Sequence, residues 1–131
     1  MGGRVYEGAK KELGWHQVSL TGDGEKGLFA GAGSTMRAFQ WHGDTYDLPP
    51  NATVLAYSDL YPQAFRIKSA VGAQFHLKID ERLIRAWMKE YGSEVKAEKV
   101  REQDLLPAAG DFEKLAKSCQ LAYRNFARMF R

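Results

Sequence analysis

Along the first 79 residues, short apolar runs alternate with turn-forming clusters, and beyond residue 80 the apolar spacing lengthens to that of helices. Arg4-Val5-Tyr6 and Trp15-His16-Gln17-Val18-Ser19-Leu20 read as strands, the second alternating large apolar and polar residues. Thr21-Gly22-Asp23-Gly24 is a turn signal, because glycine supplies the positive φ that tight turns need. Residues 27–34 are glycine-rich and read as a loop or a broken edge strand. Further strands are expected at 36–41, 53–57, 64–68 and 71–76, the last two forming a hairpin through Ser69-Ala70. Leu48-Pro49-Pro50-Asn51 and Tyr61-Pro62 separate them, since proline brings no amide hydrogen to a ladder.

After residue 79 the period changes. Asp80 suits an N-cap, its carboxylate accepting amide hydrogens of the first turn. Leu83, Ile84, Trp87, Met88 and Tyr91 then share one helical face, and Gly92 is a natural stop. Residues 93–103 are charged and weakly amphipathic, a solvated helix or linker. Pro107 breaks the chain. Asp111 caps a last helix whose stripe is Phe112, Leu115, Ala116, Cys119, Ala122, Tyr123, Phe126 and Phe130. Strands followed by helices make an α+β pattern when read alone. One domain over 1–131 is expected, strand-rich to residue 79 and helical from 80.

Composition narrows the classes. Hydrophobic content of 44% and charged content of 27% fit a soluble globular domain rather than a disordered chain. No apolar run approaches the roughly 20 residues that span a bilayer, and the N-terminus has no apolar signal core. A cytoplasmic location and no membrane partner are therefore expected. Cys119 is the single cysteine, so no internal disulfide can form. On its stripe it reads as a small buried apolar residue. A net charge of +3 does not mark a nucleic-acid binder. Lys114, Lys117, Arg124, Arg128 and Arg131 are basic and Tyr123 and Phe126 could stack on bases, but Asp111 and Glu113 share the helix, the pattern of a solvated face. His16, His42 and His76 offer no pair at ligand spacing, so neither a metal nor another cofactor is expected.

Two segments carry candidate chemistry. His76 ends the apolar run Val71-Gly72-Ala73-Gln74-Phe75, directly before a capped helix, a position that suits a general base. It also suits a histidine that merely bonds the helix start. Trp41-His42-Gly43-Asp44 is a polar turn in which glycine lets a ligand come close to backbone.

Together with Lys11-Glu12-Leu13-Gly14-Trp15 and Gln63-Ala64-Phe65-Arg66, these segments resemble the C-terminal portion of a class I glutamine amidotransferase domain. The resemblance runs from Gly2 to about Trp87. It implies an α/β, flavodoxin-like ancestry represented here by mixed, mostly antiparallel strands followed by C-terminal helices. It implies glutamine as substrate, held in part by Trp41, His42, Gly43 and Asp44, with His76 as base toward a nucleophilic cysteine. In that family a glutamate two residues after the histidine orients the imidazole. Here Lys78 stands there, and an ammonium has only donors to offer. The family's cysteine lies upstream of a segment like Gly2-Gly3-Arg4-Val5-Tyr6, where this chain opens. The resemblance thus implies a truncated domain, inactive alone. The alternative is a non-catalytic assembly module that self-associates or pairs with a separate half-domain, because exposed strand edges and apolar faces recruit partners.

Overall fold

In the computed structural model, which describes residues 2–130, the strands are β1 (Val5–Leu20), β2 (Thr35–Tyr46), β3 (Thr53–Tyr57), β4 (Pro62–Ile67) and β5 (Ala70–Ala73). They form one antiparallel sheet in the order β2-β1-β3-β4-β5. The helices are α1 (Gly22–Lys26), α2 (Glu81–Glu90), α3 (Gly92–Ala97), α4 (Glu102–Leu105) and α5 (Asp111–Met129). Strands precede all but one short helix, as the periodicity predicts. Among the described residues, no helix is long and apolar enough to cross a membrane.

Several elements depart from expectation, each for a visible reason. The two N-terminal strands are one continuous strand, β1. Its pairing with β2 slips between Glu7↔Asp44 and Glu12↔His42, so Gly8 to Lys11 bulge out opposite Gly43. The Thr21–Gly24 turn is the start of α1, because the Thr21 hydroxyl accepts the Gly24 N–H. Gly92 does not stop α2; Tyr91 ends it and Gly92 opens α3. The expected solvated stretch is anchored by Val95, which is buried. Asp111 begins α5 instead of capping it from outside. Its carboxylate accepts the Ala108 N–H and pairs with Arg37 at 2.7 Å.

The sheet curls until its ends meet. β5 stops at Ala73, yet the Gln74 N–H still donates to Gln63 O at 2.8 Å. Phe75 then turns into the core, and the His76 N–H donates to Phe39 O of β2 at 2.9 Å. His76 therefore lies beyond β5, on the outer edge of β2, and not at the end of a 71–76 strand. Side chains of β2 and β4, two strands apart in the sheet, consequently touch. Gln40 Nε2 donates to Gln63 Oε1 at 2.8 Å.

Two apolar clusters hold this shape. One joins Val18, Met36, Ala38, Ala56 and Ala64 to Phe29, Phe75 and Ala122. The other joins Leu13, Trp15 and Phe39 to Ile84, Val95, Leu105 and Leu115 from the helices. Helix α2 begins where Asp80 Oδ1 accepts the Leu83 N–H at 2.8 Å. Helix α5 serves both clusters, and Asn125 ties it to the glycine-rich loop by donating to Leu28 O and Ala30 O. Its buried face is Asp111, Leu115, Ala122 and Asn125. Tyr123, Phe126 and Phe130, expected on the core stripe, are exposed.

Gly14 has φ +98°, and a Cβ there would lie 2.5 Å from Asp104 O. Gly14→Ala is therefore expected to destabilise the chain by about 2 kcal/mol or more, from left-handed strain plus a backbone collision. Denaturant melts of the variant check it.

Candidate functional site

The two segments singled out in the sequence, thirty residues apart, meet at the closure of the curl. Trp41 and His42 end the regular part of β2, and His76 sits against its outer edge. The His76 ring lies 5.2 Å from Trp87 and 6.2 Å from Phe39, centroid to centroid, and Trp41 packs edge-on against the same Trp87 at 5.5 Å. Asp44 O accepts from Gln74 Nε2 and, at 3.0 Å, faces His42 Nδ1. One carbonyl thus links this part of β2 to the segment that carries His76.

Residues 41–44, expected as a polar turn, are extended strand within β2, because β1 pairs with β2 on both sides of them, and their course is shaped by the bulge opposite. Tyr61 Oη accepts the Lys10 N–H at 2.9 Å and donates to Lys10 O at 2.7 Å, clamping both backbone groups of one bulged residue. Gly8 is required beneath that clamp, since a Cβ there would sit 2.5 Å from Tyr61 Oη. Lys11 arches over Gly43, where a Cβ would meet its chain at 3.1 Å, and reaches Glu94 Oε1 of α3 at 2.9 Å. Glycine at 43 therefore makes room for Lys11, a role the sequence pattern did not suggest.

Below residues 41–44 runs a buried polar chain. Glu12 and His42 are cross-strand partners in register, which brings Glu12 Oε2 within 2.9 Å of His42 Nε2. The contact is at ion-pair distance but off the line of a good hydrogen bond. Gln63 Nε2 donates to the same carboxylate oxygen at 2.6 Å and to Ser58 Oγ at 3.1 Å. Gln63 Oε1 takes the Gln40 amide, so the carboxylate fixes which way both amides point. Glu12, Gln40 and Gln63 are all buried.

Comparison with known proteins follows this geometry. No family model matches the chain. It is 32% identical over 83 residues, 60% of its length, to a glutamine-hydrolyzing GMP synthase of Vibrio atlanticus, covering 16% of that protein. A glutamine amidotransferase structure from Thermotoga maritima matches 98% of the chain at TM-score 0.72 and 31% identity. The chain is glutamine amidotransferase-like. A Methylobacillus flagellatus glutamine amidotransferase structure matches 98% of it at TM-score 0.71 and 21% identity, a likeness of fold. The chain spans 54% and 55% of those two structures, about half of each.

In this amidotransferase-like domain, the groups that could orient His76 are engaged elsewhere. Lys78 is exposed, Asp80 caps α2 and Glu81 pairs with Arg85 at 2.6 Å. Cys119 is half-buried, less enclosed than its stripe position suggests, and lines a groove with Leu77, Lys78 and Ile79. Among the described residues, no cluster of histidine, cysteine and carboxylate side chains could hold a metal.

Glu12, Gln40, Gln63, Tyr61 and Gln74 were not among the residues the sequence nominated. The available signal was polar side chains inside otherwise apolar strand runs, as in Phe39-Gln40-Trp41. Such residues need internal partners.

Electrostatics separates the two acid–base groups. Burial works to raise the Glu12 carboxyl, but its polar neighbours His42, Ser58 and Gln63 outweigh it and hold Glu12 below the ordinary carboxylate range. Burial pushes the His76 imidazole down, and the charge of His42 pushes the same way. A depressed histidine means that the unfolded chain takes up its proton first as pH falls. The stability from neutral His76 is then complete above 6.5 and declines as pH drops below that toward the folded value. Thermal melts between about pH 7 and 5 are expected to show this loss. His76→Phe, which keeps an aromatic ring against Trp87, is expected to flatten it.

Proposed function

We propose that this chain is the glutamine-binding and base-carrying portion of an amidotransferase. In this reading Trp41, His42, Gly43 and Asp44 help hold the amino-acid end of glutamine, and His76 takes the proton of a nucleophile. The observation that carries the reading is the closure of the curl, which brings a half-buried, neutral-leaning histidine beside residues 41–44 of β2 through Asp44 O and Gln74. A depressed imidazole is a ready proton acceptor near neutral pH. The 31% identity to a solved glutamine amidotransferase supports it too.

The hydrolysis requires a nucleophile whose attack on the side-chain amide expels ammonia and leaves an acyl intermediate for water. Cys119 is a poor candidate, because it lies on α5 while the His76 ring packs on Trp87 and Phe39. The nucleophile then comes from polypeptide beyond these 131 residues, whether of the same protein or another. Lys78 in place of an orienting carboxylate lowers activity further, because an exposed ammonium offers no acceptor to the imidazole N–H.

The chain alone is therefore expected to release no ammonia from glutamine, yet to bind it. At tenfold excess over Kd, binding stabilises by about 1.4 kcal/mol and raises Tm by a few degrees. His76→Ala is expected to shrink that shift. Ammonia release by the wild-type chain would contradict the assignment of the nucleophile, and a melting curve indifferent to glutamine would contradict the binding role.

A second reading is a non-catalytic assembly module. What favours it is apolar surface: Tyr123 is 69% exposed, and with Phe126, Leu77, Val71 and Ala73 it lines a groove of about 220 Å³ beside the edge strand β5. It predicts self-association in light scattering at tens of micromolar, and no response to glutamine.

A further inference from the structure

The Glu12–His42 contact has a part in the site beyond filling the sheet interior. His42 faces an acceptor at each ring nitrogen, Glu12 Oε2 at Nε2 and Asp44 O at Nδ1. Asp44 O can only accept, so Nδ1 carries a hydrogen, and Nε2 stands 2.9 Å from the Glu12 carboxylate. Glu12 is 4% exposed and enclosed by Gln63 and Ser58, so its position hardly varies. A carboxylate buried so deeply costs several kcal/mol in desolvation, and a core of apolar residues would be cheaper to fold. The observed arrangement instead spends three strands on holding one imidazole. Position 12 is on β1, Gln63 on β4 and Gln40 on β2, and the chain they form ends at residues 41–44.

We infer that Glu12 is a positioning residue for the glutamine-holding stretch of β2, residues 41–44. It fixes the His42 ring, and through the His42 contact with Asp44 O it fixes the backbone of Gly43 and Asp44. Clamped between Glu12 and Asp44, His42 does not touch the reacting atoms. It converts a buried charge into backbone order. The inference rests on the reading of Trp41 to Asp44 as part of a glutamine site, but the ordering of that stretch can be measured without glutamine.

The test is Glu12→Gln, which keeps the shape and the hydrogen-bonding reach and removes the charge. Gln40→Leu serves as control, because it weakens the same buried chain without touching His42. Amide exchange of Gly43 and Asp44 is compared with that of Val18 and Phe39 inside each variant. The expected result is that Glu12→Gln quickens exchange at 43 and 44 about tenfold more than at the core pair, while Gln40→Leu affects all four alike. Glutamine affinity then falls about tenfold in Glu12→Gln alone. If Glu12→Gln does not fold, Glu12→Asp, which keeps the charge one methylene further back, is read in the same way. Uniform quickening in both variants would reduce Glu12 to a structural role and overturn the inference. Selective quickening without any glutamine binding, in wild type or variant, would uphold the positioning and refute the glutamine reading instead.

Discussion

Three consecutive residues carry the constraint on which the rest of the molecule depends. Gln74 remains hydrogen-bonded to β4, His76 is hydrogen-bonded to β2, and Phe75 between them is buried. Backbone amides near a core must find partners, and a segment this short can satisfy both ends only if the sheet curls to bring β4 and β2 together. Phe39 is the receiving point. It lends its carbonyl to His76 and its ring to Trp15, Trp41 and Trp87. Without that closure, Gln40 would not reach Gln63 and His76 would lie far from residues 41–44 of β2.

The curl has a polar interior at one end, which calls for explanation. Apolar side chains fill most of it, down to Ala38, Ala56 and Ala64 with no exposure. At the other end a carboxylate, two amides and an imidazole are stacked in contact. Each brings a desolvation penalty that is recovered only where a partner stands at good distance. Glu12 recovers it through Gln63, Ser58 and His42. A chain of this kind tolerates few alternative arrangements, because any slip of register leaves a charge unpaired. It therefore specifies the pairing of β1 with β2 just past the bulge, where regular ladder bonds give out.

Much of this was legible from the residues. The 53–57 strand, the Asp80 cap, the hairpin of β4 and β5 and the meeting of two distant motifs all rest on local signals or on resemblance. Three things were not. Gly8 to Lys11 carry no strand pattern, since the clamp that holds them extended is Tyr61, about fifty residues away. The orientation of α5 could not be read from a broad apolar stripe: Asn125, a polar residue, is buried because it bonds the glycine-rich loop, and Tyr123 is turned outward in consequence. Glu12 stood out only as part of a segment that carries the resemblance, and its register opposite His42 is what makes it part of the site. Each depends on a partner distant in sequence, which local periodicity does not encode.

The central claim is that the closure of the curl creates a place for glutamine between the end of β2 and His76. Backbone NMR of the chain during a titration with glutamine tests this most directly. The account predicts that amide signals of His42, Gly43, Asp44 and His76 move together along one saturable curve. Shifts confined to the groove around Tyr123 and Phe126, or none at millimolar glutamine, would contradict it.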